Sequence, residues 1–283
     1  MRILILGANG MFAKELIRSL KDSDFSIYGS SRSQEVSHEN EYFKPINKVN
    51  VLNIESVKHA IEKVKPECVL NLVGITKYKK SSMEDFVQVN SLAPHQIAGI
   101  CEKKSIRFIQ ISTDCVFLGD RGNYLDEDKP DAIDLYGRTK GLGEISYLEN
   151  TLTVRTSFIG HNEFSKDGLL EWFLEQKESC SGYTTALYSG LTTVELSKVF
   201  KNYILNNTSL NGIFNVSGPK LSKYDLLKQI SKIYKKEIKI SESSDWIIDR
   251  SLDSKKFEKA TGYHPPAWDN MIEEMYYKNK KNV

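Results

Sequence analysis

The feature that most restricts the fold of this chain lies at its start. RILILG reads as a buried strand and MFAKELIRSLK as an amphipathic helix, and the two are joined through GANGMFA. Gly7, Gly10 and Ala13 fall in a GxxGxxA spacing. A tight turn at Gly7 and the missing side chain at Gly10 allow backbone amides to approach a pyrophosphate at the helix N-terminus, and a small residue at Ala13 lets that helix pack close to the sheet. Asn9, Met11 and Phe12 belong to the same candidate cofactor-binding turn. A strand, a glycine turn and a helix in this order predict a parallel sheet covered by helices.

The rest of the chain repeats that alternation. FSIYGS, CVLNLVG, SIRFIQIS and TLTVRTSFIG read as further strands. Helices are expected over Asn53–Val64 and Phe86–Lys103, the second interrupted by Pro94, and around Tyr136. The segment from Ser33 to Lys48 reads as polar and irregular, and Gly119–Asp134 as a charged loop. Beyond Gly160, helices are expected over Leu169–Gln176, Val194–Leu205 and Ser222–Lys235, with Ser222 as N-cap. Strands are expected at GIFNVSG and EIKIS, then a short helix ending at Gly262, while the basic tail YYKNKKNV reads as frayed. Trp172 and Phe173 read as core rather than as a partner-helix face. The fold class is therefore α/β, a doubly wound parallel sheet with a smaller C-terminal substrate-binding part. The expected division is a cofactor part over 1–160 and a substrate part over 161–283, with the chain crossing back between them.

Composition excludes several classes. With a net charge of +2 spread over 283 residues and no clustered basic stripe, nucleic-acid binding is not expected. Cys68, Cys101, Cys115 and Cys180 form no CxxC pair, and the five histidines show no ligand spacing, so neither a disulfide framework nor a metal site is expected. No apolar run approaches the ~20 residues needed to cross a bilayer, and the opening ILIL is too short for a secretory core. The expected setting is the cytoplasm, with no membrane partner.

About 20 residues past Gly10, where an acidic residue would bind an adenosine ribose hydroxyl, stand Ser30, Ser31 and Arg32. A guanidinium with two hydroxyls suits a 2′-phosphate, which favours NADPH over NADH. Tyr136 and Lys140 lie four apart on one helix face, where an ammonium can stabilise a phenolate. Tyr224/Lys228, Tyr276/Lys280 and Tyr277/Lys281 share that spacing, so context has to choose among them.

The order of motifs supplies the context. With the glycine turn first, then VLNLVG, VNSLAPHQIA, ISTDCVFLGDRGNYLDEDKPDAIDLYGRTKGLGE, VRTSF and RSLDSKKFEKATG, the chain resembles the extended short-chain dehydrogenase/reductases, and more closely their dTDP-4-dehydrorhamnose reductase branch. The resemblance spans nearly the whole chain and selects Tyr136, the pair that follows the STD strand. It implies a Rossmann domain that binds NADPH and a nucleotide-sugar substrate, dTDP- or UDP-linked, whose 4-keto-6-deoxyhexose is reduced in surface polysaccharide biosynthesis. Tyr136 would protonate the alkoxide, Lys140 would lower the phenol pKa and hold the nicotinamide ribose, and Thr113 would orient the carbonyl. Asn71, Val73, Gly74 and Asn90 match cofactor contacts, and Arg155 is placed near nicotinamide or substrate. A homodimer is the family expectation.

Two departures fall in the expected sugar pocket. Where members of the branch carry Tyr after STD and Trp in the RTS segment, this chain has Cys115 and Phe158. Losing a phenol opens space, which brings a UDP-linked 2-acetamido sugar into consideration. A dehydratase is disfavoured because Cys115, not Glu, follows Asp114. A non-catalytic dinucleotide-binding regulatory subunit is disfavoured by the intact Thr113, Tyr136 and Lys140.

Overall fold

The computed structural model describes residues 1–32, 42–162 and 168–281. Its centre is a seven-stranded parallel sheet built from β1 (Arg2–Leu6), β2 (Ser26–Ser30), β3 (Lys44–Ile46), β4 (Cys68–Asn71), β5 (Arg107–Thr113), β6 (Thr151–Thr156) and a strand from the second half, Gly212–Asn215. From edge to edge the order is β3, β2, β1, β4, β5, β6 and Gly212–Asn215. The chain works outward from β1 to one edge, then returns to β4 and works to the other. That reversal opens a crevice at the carboxyl ends of β1 and β4.

Alternation along the strands divides the core into two layers. Ile3 and Ile5 of β1 point to one face, with α1 (Met11–Ser19) contributing Phe12, Ala13, Leu16 and Ile17. Leu4 and Leu6 point to the other, where α2 (Ile54–Val64) contributes Val57, Ala60, Ile61 and Val64. Each helix buries one stripe against strands buried on both sides, as a doubly wound sheet requires. The Rossmann architecture expected from the sequence is present.

Several elements differ from expectation for identifiable reasons. The segment read as irregular contains β3, whose Pro45 is tolerated because β3 is an edge strand; positions 33–41 of that segment, with His38, lie outside the described residues. The helix expected from Phe86 begins earlier, as α3 (Met83–Phe86), where Ser82 and Asp85 form a capping box. Pro94 does not break it. A π-helical stretch, Val87–Leu92, widens the turn before Pro94, and the chain continues as α4 (Ala93–Lys103) with Pro94 in its first turn. TLTVRTSFIG splits at Ser157 into β6 and β7 (Phe158–Ile159).

In the second half, α6 (Leu169–Glu175) buries Phe173 but leaves Trp172 41% exposed, so only one of the two aromatic residues is core. After it come β8 (Ser179–Tyr183), β9 (Ala186–Tyr188), β10 (Leu191–Thr192) and α7 (Thr193–Val199), none of the three strands anticipated. The strand joining the main sheet, β11 (Gly212–Asn215), pairs in parallel with β6. Ser222 caps α8 (Lys223–Tyr234) by accepting from the Asp225 N–H, as expected. Next are β13 (Lys239–Ser243), preceded in order by β12 (Leu221–Ser222), then β14 (Ile248–Asp249) and α9 (Lys255–Thr261), with Gly262 at φ 74° after it. The tail is not frayed through Lys281. It continues α10 (Trp268–Lys281), a helix that buries Met271, Ile272 and Met275 and places Lys198 in an ion pair with Glu274.

Candidate active site

At the carboxyl end of β1, Gly7 adopts φ 85°, and a Cβ there would stand 3.0 Å from Val73 Cγ2. Only glycine fits both conditions. Asn9 and Gly10 are exposed, and Gly10 begins α1 without a side-chain cap or an acidic residue in the first turn. The first amides of α1 therefore face an open crevice, a setting that favours an anion. Phe12 contributes backbone only, since its ring is buried against Phe158 and Phe200 at 5.4 and 5.2 Å.

Beside this turn, Asn71 Oδ1 accepts from the Val73 N–H at 3.2 Å, and its Nδ2 donates to Gln110 at 2.8 Å. Asn90 holds the next stretch, accepting from the Ile75 N–H at 2.8 Å and donating to the Ile75 carbonyl at 2.9 Å. Its amide is thus engaged with the chain, and Asn90 shapes the 73–75 segment. A Cβ at Gly74 would lie 3.5 Å from Asn90 Oδ1 and 3.9 Å from Lys140 Nζ. The absent side chain leaves a cradle bounded by an amide and an ammonium. These features fit a dinucleotide. Arg32 is exposed just past the end of β2, and Ser31 is tied to the edge strand region through Ile46 and Val49.

The chemical groups come from β5 and α5 (Leu135–Leu142), whose N-cap Asp134 accepts from Gly137 N–H. Thr113 ends β5; its hydroxyl donates to Asp114 at 3.1 Å, accepts the Cys115 N–H at 3.2 Å, and also touches the Tyr136 phenol. Gly137 lets the helix approach, because a Cβ there would meet the Cys115 carbonyl at 2.2 Å. Burial pushes the Tyr136 phenol up, and the charges of Cys115, Asp114 and Asp134 push the same way, with the Thr113 contact opposing. Lys140 does not offset this as the sequence suggested. It is buried and donates to the Ile111 carbonyl at 2.6 Å, and desolvation pulls it down to about 8 despite the Glu144 carboxylate. Tyr224/Lys228 and Tyr276/Lys280 instead place the ammonium over the ring at 5.8 and 4.6 Å.

Arg155 is not brought to the crevice. It is 1% exposed and forms a two-pronged pair with Glu144, Nε to Oε1 at 2.8 Å and Nη2 to Oε2 at 2.7 Å, while Nη1 donates to the Asp126 carbonyl at 3.1 Å. Ser112 donates to the same Glu144 at 2.6 Å. The expectation that Arg155 approaches nicotinamide or substrate fails because every arm of the guanidinium is already committed. Phe158 packs on Phe12, so its ring faces α1.

Cys115 is partly buried, its thiol raised to about 11 mainly by desolvation and then by Asp114. Arg250, which the sequence did not single out, brings Nη1 to 3.5 Å from its Sγ and Nη2 to 3.7 Å from Asp134. Burial also raises the Asp114 carboxyl, against the pull of Thr113, Arg250, Cys115 and Lys77. Burial and then Lys77 depress Lys223. Arg250 thus stands beside Cys115, and the charges of Lys77 and Lys223 act on the same place from two other segments. Among the described residues no helix is long and apolar enough to cross a membrane.

A family model described as the RmlD substrate binding domain matches residues 1–182. Over 165 residues the chain is 30% identical to the probable low-salt glycan biosynthesis reductase Agl14 of Haloferax volcanii, covering 56% of this chain and 54% of that protein. It is 29% identical over 154 residues to methionine adenosyltransferase 2 subunit beta of Rattus norvegicus, covering 53% and 44%. The chain spans about half the length of these curated relatives. The crystal structure of dTDP-4-dehydrorhamnose reductase from Bacillus anthracis in complex with NADP superposes with a TM-score of 0.81, covering 98% of each chain at 19% identity. That likeness is one of fold.

Proposed function

This chain belongs to the RmlD substrate binding domain family, and from that membership we propose that it is an NADPH-dependent reductase of the 4-keto group of a nucleotide-linked 4-keto-6-deoxyhexose. The observation that carries the reading is the convergence of the Tyr136 phenol on Thr113, with Lys140 buried beside the Gly74 cradle. The glycine turn from Gly7 to Phe12, with Ser31, Arg32, Val73, Gly74 and Lys140, would hold the dinucleotide, while Asn71 and Asn90 fix the segment against which it rests. When bound, the reduced dinucleotide supplies hydride to the keto carbon.

Proton delivery falls to Tyr136. A phenol held above its ordinary range stays protonated at neutral pH and gives its proton only to something as basic as an alkoxide oxygen. Thr113 stands next to it to orient that oxygen. Lys140, pulled down to about 8 by burial and held on the Ile111 carbonyl, borders the Gly74 cradle, where it would meet the nicotinamide ribose. The cations around Cys115 suit a substrate that carries phosphate, as a dTDP or UDP sugar does.

The test is to mix the protein with NADPH and the keto products of dTDP-glucose and UDP-N-acetylglucosamine dehydration, following nicotinamide absorbance. Reduction is expected, with NADH poorer, and Tyr136→Phe should lower kcat by ~10²–10⁴-fold. A second reading draws on the likeness to a methionine adenosyltransferase 2 subunit beta, in which the chain is a dinucleotide-binding subunit. Tight NADPH binding without reduction of either sugar would favour that reading and defeat the first.

A further inference from the structure

Two buried polar atoms beside the candidate site, both from the second half of the chain, have no partner in good hydrogen-bonding geometry, with Ser157 within reach of one of them. Tyr188 is 8% exposed and its hydroxyl makes no well-formed hydrogen bond. Arg250 Nε is likewise buried without an acceptor. Native interiors rarely leave such groups unmet, so a pair of them calls for an explanation.

Strand pairing sets the residues that precede them side by side. In the parallel pairing of β9 and β14, Ala186 lies opposite Ile248 and Leu187 opposite Asp249. The pairing ends there; Tyr188 follows Leu187 on β9, and Arg250 follows Asp249 just past β14. Arg250 in turn reaches Cys115 and Asp134 at 3.5 and 3.7 Å. Burial, and then the charges of Asp114 and Cys115, push the phenol up, while a contact with Ser157, just past β6, opposes them. The backbone makes room for this hydroxyl, since a Cβ at Gly190 would fall 2.1 Å from the Tyr188 oxygen. A guanidinium N–H can only donate, and a phenol donates readily, so what completes the pair is an acceptor oxygen.

We propose that Tyr188 and Arg250 form the sugar-recognising wall of the pocket, both donating to an acceptor oxygen on the hexose of the nucleotide sugar. The assignment rests on the substrate class proposed above. A ring hydroxyl and the carbonyl of an acylamino substituent offer the same acceptor chemistry, and the two keto sugars distinguish them. Tyr188 is then a substrate-binding residue supplied by β9.

Tyr188→Phe tests this, because it removes one oxygen and keeps the ring that packs against Trp268 at 5.6 Å. KM for the accepted keto sugar should rise about tenfold, the cost of one neutral hydrogen bond, with kcat and the KM for NADPH nearly unchanged. The melting temperature should stay level or rise, since an unmet buried hydroxyl is lost. Calorimetry supplies a readout that does not depend on turnover: the variant should bind the sugar nucleotide more weakly and the bare nucleoside diphosphate equally well. A larger loss with the acetamido sugar than with its hydroxyl counterpart would assign the oxygen to the acyl carbonyl, and the reverse order to a ring hydroxyl. If Tyr188→Phe reduces the keto sugar with unchanged kcat/KM, the proposal is overturned while the reductase reading stands. Weaker sugar-nucleotide binding in a protein that reduces neither sugar would keep the proposal and defeat that reading. Equal affinity for sugar nucleotide and nucleoside diphosphate in the unaltered protein would also overturn it.

Discussion

Replacing Glu144 by Gln should be the most informative single change outside the crevice. Glu144 and Arg155 pair with 4% and 1% of their side chains exposed, and the carboxylate also accepts from Ser112 at 2.6 Å. Gln keeps the shape but removes the charge, and it turns an NH₂ group toward donors that previously met oxygen. Breaking one partner of a buried pair costs about 3–5 kcal/mol, because the surviving charge stays desolvated. At roughly 2–4 °C per kcal/mol for a chain of this size class, the melting temperature should fall by roughly 6–20 °C. Thermal melts with urea titration as a check measure this directly. Converting Arg155 to Met in the same protein should restore more than half of the loss, since the orphaned charge goes with it. Glu144 is also the charge that supports the Lys140 ammonium, so the Gln variant should move that group further below about 8. A melting temperature within about 1 °C of the unaltered protein would refute the reasoning, for it would mean the pair is solvated.

Three further outcomes follow from the site. Lys140→Met should abolish turnover yet cost no stability at pH 7: with the folded ammonium at about 8 against 10.5 when free, the unfolded chain binds more protons between these values, so stability rises with pH through that window. Below pH 8 the charged lysine costs roughly 3 kcal/mol, and melts at pH 7 and 10 should show a rise in the unaltered protein that the Met variant lacks. Gly143→Ala should destabilise by roughly 1–3 kcal/mol, because its Cβ would sit 1.9 Å from the Asn90 carbonyl oxygen, backbone against side chain; an unchanged urea midpoint would count against it. Arg32→Ala should weaken NADPH binding by ~10–100-fold in fluorescence titrations and leave NADH unaffected, whereas equal losses would remove Arg32 from phosphate recognition.

What the sequence made legible were elements whose pattern is local. β1 and β4 are short apolar runs, α2 carries a clean stripe, and the capped start of α8 is written in Ser222 and Asp225. Thr113 and Tyr136 were legible as a pair because motif order stands in for proximity. Where a side chain's meaning depends on a distant partner, the pattern was silent. Arg155 looks like a ligand-binding arginine until Glu144 is folded against it, and nothing local marks Tyr188 as carrying a buried, unmet hydroxyl. The tail misled for a different reason: its lysines read as solvated, yet through Lys281 it continues a helix whose Met271, Ile272 and Met275 are anchored on one buried side.

The place of β11 in the sheet has a consequence for synthesis of the chain. β6 ends at Thr156, and the strand that covers its free edge begins at Gly212. Elongation at about 5–20 residues per second leaves that edge uncovered for roughly 3–11 seconds. During that interval the nascent sheet offers unpaired amides and carbonyls to any neighbouring chain. The side chains of Thr151 and Thr153 and the buried Arg155 on β6 interrupt what would otherwise be an aggregation-prone apolar strand. Polar side chains at these positions lower the tendency of the uncovered β6 to pair with another chain in that interval.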